Sequence, residues 1–454
     1  MNLVYNFYKI FCGLNFIFWC FVLYVKQEFL IYNLFEYTSF TFLLIFLFNF
    51  SFYKNNFFLN IIVIYHTLFF IPRFILLLYM PTIVGKAGND GFSLIAISET
   101  NVASVLKYFT FYTLILIYVL KFLNILMPIK KINIFDINTI KYFKVYNFFI
   151  YFSIIMDLLM IAATSIFHYN MVGDDMKYAS LIRLLINPAI IFFILSFFIL
   201  NRNKLSKKQY NFFILFICIH IFSSIILGSR SGIITLVLIM TFILLFFRIH
   251  LNFNKKTIIK FIIITLFTSI LTWYAGSYFR QGNFTNSTIS EEGFTILRRL
   301  GGGAESFALI FASNNNFEDL KKFHSWTESF IKGLNTLIPG DFYTINKITA
   351  GQYFKEVIYN DYSGKFHGDY WSGYGYLYAI YGYYFSIFVL IIILIFTHSF
   401  FRFLLISNNF ILYLFIIDIS NIFCESFLIQ GSADSIFVNL LPEILYYLPF
   451  VIIL

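Results

Sequence analysis

The run WSGYGYLYAIYGYYFSIFVLIIILIFT at 371–397 is twenty-seven residues long and holds no charged side chain. A helix needs about 20 mostly apolar residues to cross the hydrocarbon of a bilayer. Outward from this run, the same rule marks eleven more segments. They lie at 5–24, 33–52, 57–80, 104–126, 146–167, 181–200, 211–228, 232–248, 260–277, 409–427 and 437–454. The expected fold class is therefore all-α, a polytopic integral membrane protein with about 12 transmembrane helices. No small-residue cleavage site follows the first segment, which reads as a retained signal-anchor helix.

Composition agrees. Hydrophobic residues make up 60% of the 454 positions and charged residues 12%, with a mean hydropathy of +0.81. A soluble domain has about 45–50% apolar and about 25% charged residues. Soluble, disordered and nucleic-acid-binding classes are thereby excluded. The four cysteines (Cys12, Cys20, Cys218, Cys424) all sit in apolar runs and form no C-x-x-C pair. Neither a disulfide framework nor a metal site is indicated.

The net charge of +10 is a matter of placement. With the N-terminus inside, the short inner loops collect sixteen Lys and Arg, against four in the short outer loops (Lys26, Lys86, Lys177 and Arg230). Basic residues gather on the cytoplasmic side of polytopic proteins, so both termini are expected there.

The composition breaks once. Residues 278–370 hold ten acids and nine bases, nineteen of the 54 charged residues. This divides the chain into helices one to nine (1–277), a large outer loop with short helices (278–370), and helices ten to twelve (371–454). Amphipathic runs near 294–312 and 317–334 are expected to lie on the membrane surface. A loop this long is usually functional or disordered, and its Tyr, Phe, Trp and Gly content favours an ordered, functional one.

The chemistry-bearing residues gather on the expected outer face. LGSRSGII (227–234) presents Arg230 between Gly228 and Gly232 in a near-loopless turn. Its guanidinium and backbone amides suit a phosphate, while the bland alternative is a hairpin whose arginine snorkels. GSYFRQGNF (276–284) adds Arg280. ILRRLGGGAESFAL (296–309) adds Arg298, Arg299, a triple glycine and Glu305. Several arginines at one depth suit a pyrophosphate; contact with anionic headgroups is the rival reading. In 337–384, Asp361, His367 and Asp369 stand among glycines and aromatic residues including Tyr370 and Trp371. Ring faces beside carboxylates suit a sugar. His367 or Asp361 suits a general base for a sugar hydroxyl. Asp434 reads as a cap on the last helix. Charges inside spans are costly, which marks Arg73, after Pro72, as a candidate, with Arg183, His66 and Asp157 behind it. No H-E-x-x-H, Walker loop, G-x-S-x-G or metal-ligand cluster occurs in the sequence.

The order of these pieces resembles the oligosaccharide repeat-unit polymerases of the O-antigen polymerase (Wzy-type) family. The carriers are LGSRSGII, FRQGNF, LRRLGGGAESFALIF, LIPGDFYT with NDYSG and GYGYLYAIYG, and the SADS turn, over roughly 220–440. The chain departs at Gln430, where some members have arginine, and lacks a pair of R-x15-G motifs. The resemblance implies a metal-independent, GT-C-like membrane glycosyltransferase that needs no cofactor. Its substrate would be an undecaprenyl-diphosphate-linked oligosaccharide in the bacterial inner (cytoplasmic) membrane, its active site periplasmic, its product O-antigen or a related surface polysaccharide. The lipid bilayer is the second partner, a polysaccharide chain-length regulator a third, and nucleic acid none.

By position, Arg230, Arg280, Arg298, Arg299 and Arg73 are expected at the lipid diphosphates. Asp369, Tyr370 and Trp371 are expected at the sugar, and His367, Asp361 and Glu305 at the catalytic step. The rivals are an O-antigen ligase and a lipid-linked oligosaccharide flippase. Arg230→Ala or Arg280→Ala is expected to leave the protein inserted and to abolish long polysaccharide chains. A normal chain-length distribution on a gel would remove that role.

Overall fold

The computed structural model describes residues 2–53, 56–87, 91–129, 142–167, 188–226, 232–247, 302–312, 317, 326–337, 353–354, 356, 372–406, 409–429, 431 and 433–453. The chain opens with α1 (Asn2–Val25), a short α2 (Gln27–Leu30) and α3 (Leu34–Asn49). Next comes α4 (Phe57–Tyr65), continued by a first π-helical segment (His66–Phe70) and α5 (Ile71–Tyr79). A ribbon of β1 (Thr82–Ala87) and β2 (Gly91–Ala96) leads to α6 (Glu99–Leu126). Then follow α7 (Phe143–Phe167), α8 (Pro188–Asn201), α9 (Lys207–Ile226) and α10 (Gly232–Phe246). The last part holds α11 (Gly302–Ala312), α12 (Trp326–Leu337), α13 (Gly373–Leu405), α14 (Phe410–Ile422), a second π-helical segment (Phe423–Ile429) and α15 (Ala433–Ile453).

Among the described residues, six helical stretches are long and apolar enough to cross a membrane, by length and composition. They are Val4–Val25, Phe57–Tyr79, Glu99–Leu126, Phe143–Ala162, Gly373–Leu405 and Phe410–Leu428. Leu34–Asn49, Ala189–Asn201, Leu236–Phe246 and Ile436–Leu445 are shorter apolar helices. Helices occupy eleven of the twelve apolar segments of the sequence; the ninth, 260–277, lies outside the described residues. Among the described residues the regular structure is helical, as expected, apart from the ribbon between α5 and α6. Its strands pair antiparallel from Thr82↔Ala96 to Ala87↔Gly91. The sequence carries its cause: two stretches with strand-forming residues (Thr82, Ile83, Val84 and Phe92, Leu94, Ile95) flank Gly-Asn-Asp-Gly, and such a pattern makes a hairpin.

Two stretches form the centre of the bundle. In their most apolar windows, 78% of Phe57–Tyr79 and 89% of Phe410–Leu428 is buried, against 28% of Val4–Val25. Outer helices leave large apolar side chains exposed, such as Ile125, Tyr384 and Phe396. Water would not tolerate so wide an apolar surface on a monomer, whereas lipid requires it.

Within a bilayer, polar side chains serve as local ties between helices. Trp19 Nε1 donates to Thr41 Oγ1 at 2.8 Å and Tyr8 O–H to the Leu47 carbonyl at 2.7 Å, joining α1 to α3. Asn56 accepts from Leu59 N–H to cap α4 and donates to the Leu120 carbonyl of α6. At one end of the bundle, Lys26 pairs with Glu99, and Lys107 with Glu36 at 3.2 Å.

At this same end α13 starts against the second π-segment. The Ser372 hydroxyl accepts from Gly375 N–H and caps α13. Gly431, at φ +72°, donates its N–H to the Ser426 carbonyl and lies directly against Ser372. A Cβ on Gly431 would stand 2.0 Å from the Ser372 carbonyl carbon, and one on Gly373 would stand 2.6 Å from the Phe427 carbonyl oxygen. Left-handed φ alone costs a residue with Cβ about 1–2 kcal/mol, and backbone cannot move aside as a side-chain tip can. Gly431→Ala and Gly373→Ala are therefore expected to lower the thermal midpoint and the monodisperse yield in detergent. Gly13→Ala, whose Cβ would meet only Phe48 at 3.7 Å, is expected to be neutral or stabilising. Equal behaviour of the three variants would refute this packing.

Candidate functional site

Residues 66–79 explain how an arginine comes to lie inside the bundle. Proline has no N–H to donate and its ring crowds the preceding turn, so Pro72 interrupts the helical ladder. Just ahead of it the helix widens, and Ile71 N–H bonds back to the His66 carbonyl. Pro72 then opens α5 at a position where its missing donor does no harm. Arg73 follows, only 2% exposed. A lone guanidinium at such a depth would be expensive. Glu305 of α11 answers it: the carboxylate forms a buried ion pair with Arg73 across 232 residues of sequence.

The position of α11 corrects an expectation. The amphipathic run 294–312 was expected on the membrane surface, yet residues 302–312 form a helix inserted among α5, α6, α13 and the first π-segment. Ala304, Phe307, Ala308, Leu309 and Ile310 are all buried. Amphipathic spacing says that one face is apolar, and protein or lipid can cover that face equally well. In the described part of the second run, α12 packs along α15 with Trp326 and Phe330 against Phe437.

A second layer of polar contacts lies around the pair. His66 Nδ1 is 2.7 Å from the Ile62 carbonyl, and Nε2 is 2.5 Å from the Tyr374 hydroxyl. A carbonyl only accepts, so Nδ1 carries the hydrogen, and in the neutral ring Nε2 accepts from Tyr374. Tyr374 stacks on Tyr112 at 5.1 Å. Ser386 donates to the Tyr383 carbonyl at 2.6 Å, which leaves its oxygen to accept from Tyr112 at 2.5 Å. Tyr65 donates to Asn421 Oδ1 at 2.8 Å, joining the two central stretches. π-segments inside α-helices are rare and often mark functional positions. Here one lies in each central stretch, close to this network.

Of the residues singled out from sequence, the structure brings together Arg73 and Glu305. Arg230, Arg280, Arg298, Arg299, Asp361, His367, Asp369, Tyr370, Trp371 and Arg183 lie outside the described residues. His66 belongs to the network beside the pair, while Asp157 lies elsewhere, bonded to His220 between α7 and α9 at 3.1 Å. Sequence reasoning passed over Tyr65, Tyr374 and Asn421. The signal for Asn421 was a polar side chain in an apolar run. The two tyrosines had none, in a chain with 33 of them.

No family model, curated protein or solved structure matches the chain. The pair itself gives a test. Removing one partner of a buried ion pair typically costs about 3–5 kcal/mol, whereas apolar replacement of both is often close to neutral. Arg73→Met and Glu305→Leu are each expected to destabilise the protein in detergent, and the double variant to recover most of the loss. Additive losses on thermal unfolding would show that the pair does not hold α11 in place.

Proposed function

We propose that this protein is a membrane glycosyltransferase that polymerises undecaprenyl-diphosphate-linked oligosaccharide repeat units on the periplasmic face of the bacterial inner membrane. The end of the bundle with Lys9, Lys121, Lys204, Lys207, Lys208 and Arg402 is read as cytoplasmic, the end with the Arg73–Glu305 pair as periplasmic. The reading takes the twelve apolar segments as spans and both termini as cytoplasmic.

One observation carries the reading. The motif LRRLGGGAESFALIF, which bears the family resemblance, contains the helix that a buried ion pair anchors in the bundle. Membranes rarely bury an arginine without a functional reason. In this proposal Glu305 and Arg73 are the tether of the outer loop. Arg298 and Arg299, four and three positions before α11 in the sequence, join Arg230 and Arg280 at the donor and acceptor diphosphates. The growing chain leaves one lipid diphosphate and is transferred to the non-reducing end of the next lipid-linked unit. Arginines stabilise the charge that develops on the departing diphosphate. Asp369, Tyr370 and Trp371 contact the sugar, with His367 and Asp361 at its hydroxyls.

A second reading, a flippase for the same lipid-linked oligosaccharide, is favoured by the buried Asp157–His220 pair between α7 and α9, because ionisable pairs inside spans also mark transport pathways. Deletion followed by gel analysis of surface polysaccharide separates the readings. Loss of the polymer ladder with one capped unit retained is expected. Loss of all capping would instead indicate the flippase or an O-antigen ligase.

A further inference from the structure

A straight helix of 33 residues is about 50 Å long, well beyond the roughly 30 Å of hydrocarbon in a bilayer. The helix α13 (Gly373–Leu405) has that many residues, and it is not straight. At Gly382 φ is +69° and ψ is −177°, a combination open in practice only to glycine. A Cβ there would meet nothing within 4 Å. Crowding therefore does not demand the glycine; the backbone conformation does.

The bend can be followed on α6. Tyr374 and Tyr383 are nine positions apart in sequence, which would separate them by about 13 Å along an unbroken helix. Both pack on the same ring, Tyr112, at 5.1 and 6.1 Å. Tyr383 also meets Tyr108 at 4.4 Å, and Tyr378 meets it at 6.4 Å. All three tyrosines of α13 thus touch one turn of α6. The part of α13 before Gly382 runs across α6 at a single depth. The part after it runs along α6, with Ser386 bonded to Tyr112 and His398 Nε2 3.1 Å from the Met127 carbonyl.

The break lies at the surface. Gly382, Tyr384 and Phe385 are exposed, Tyr384 to 85%. A helical ladder that stops leaves backbone donors and acceptors to other partners. Hydrocarbon offers none, so lipid-exposed backbone does not break inside it. Water or headgroups must reach Gly382. Charges mark the same depth. Lys107, next to Tyr108, pairs with Glu36 at 3.2 Å, and both are only half-buried. Fourteen residues further along α6, a distance of about 21 Å, Lys121 marks the other side. Its Nζ stands 5.0–5.8 Å from the ring centres of Phe46, Phe50, Tyr53 and Tyr118. Cations on long stems among tyrosines are what a membrane–water boundary collects. With those stems reaching outward, the two lysines bracket a hydrocarbon layer. On α13 the same layer fits between Gly382 and Arg402, about 30 Å apart along the helix.

We propose that the membrane boundary at the Arg73–Glu305 end passes through Gly382 and Lys107. On this assignment α13 spans with residues 383–405 and lays 373–381 at the level of the lipid headgroups. The buried pair belongs to that level too. Phe74, beside Arg73, meets Phe109 at 4.7 Å. Phe307 and Phe311 of α11 meet Tyr112 and Tyr108 at 6.3 and 4.8 Å. The helix α11 and the crossing part of α13 therefore form a wall at the depth where a membrane lipid carries its phosphate. The partner of this surface is the headgroup layer of the bilayer. The inference does not depend on the polymerase reading.

The test attaches a nitroxide to single cysteines along the exposed side of α13, in the full chain reconstituted in phospholipid vesicles. Cys20 and Cys218, the exposed native thiols, are replaced by Ser, while the buried Cys12 and Cys424 stay. Label taken up by this parent is subtracted as the blank. Tyr384→Cys, Ile392→Cys, Phe396→Cys and Phe403→Cys each change an exposed side chain. Collisions are read with oxygen, which concentrates in hydrocarbon, and with a water-soluble nickel chelate. Position 384 should meet the chelate. Positions 392 and 396, about 12 and 18 Å further along, should lose the chelate and keep oxygen. Position 403, about 29 Å along, should regain the chelate. If Tyr384→Cys does not insert, Phe385→Cys takes its place. Loss of the chelate at 384 as complete as at 392 would put the break in hydrocarbon and overturn the proposal. Equal chelate contact at all four positions overturns it as well, because α13 would then have no lipid-facing span.

Discussion

A guanidinium and a carboxylate buried in a lipid-solvated bundle must find each other, because neither finds enough water there to remain charged alone. Arg73 and Glu305 meet this constraint, and much of the architecture at their end of the bundle follows. Arg73 lies on a central stretch, whereas Glu305 belongs to the long, charge-rich part of the chain between the ninth and tenth apolar segments. Their pairing draws α11 inward until Phe307 reaches Tyr112 and Tyr374. A helix that would otherwise rest on the membrane becomes part of the wall. The aromatic and hydroxyl network of Tyr374, His66, Tyr112 and Ser386 then closes around it, with each donor assigned an acceptor.

The two π-segments are the second organising device. Each adds a residue to a helical turn and so re-aims the side chains around it. In the first, Pro72 supplies the cause, and the altered phase lets His66 reach Tyr374 while Arg73 reaches Glu305. In the second, the altered phase accompanies Glu425, the exposed carboxylate of an otherwise buried stretch. The Tyr65–Asn421 bond lies between them. The two central stretches therefore share a polar seam near one end and apolar packing along most of their length.

Much of this was legible in the sequence, unevenly. The helices at 34–49 and 410–422 were the hardest to read from hydropathy, and both are present. The ribbon at 82–96 carried an evident turn, Gly-Asn-Asp-Gly, which a search for long apolar runs passes over. Arg73 and Glu305 were each noticed, for unrelated reasons: one as a charge in a span, the other as the acid of an arginine-rich motif. Their separation of 232 residues hid that they are one feature. Glu425, Asn421 and Tyr65 went unnoticed because each sits singly in an apolar stretch, where local pattern offers no partner.

The sequence by itself determined that the chain is a bundle of apolar helices and roughly where each begins and stops. The reason is that in lipid the backbone must satisfy its own hydrogen bonds within each segment. Such bonds are local, and local periodicity reports them. Only the tertiary structure decided which buried charge answers which, that α11 enters the bundle, and that one carboxylate of an otherwise buried helix is exposed. Those outcomes depend on how helices far apart in the chain are arranged around one another. The free energy that selects them comes from desolvated long-range pairs, and no single segment contains both members.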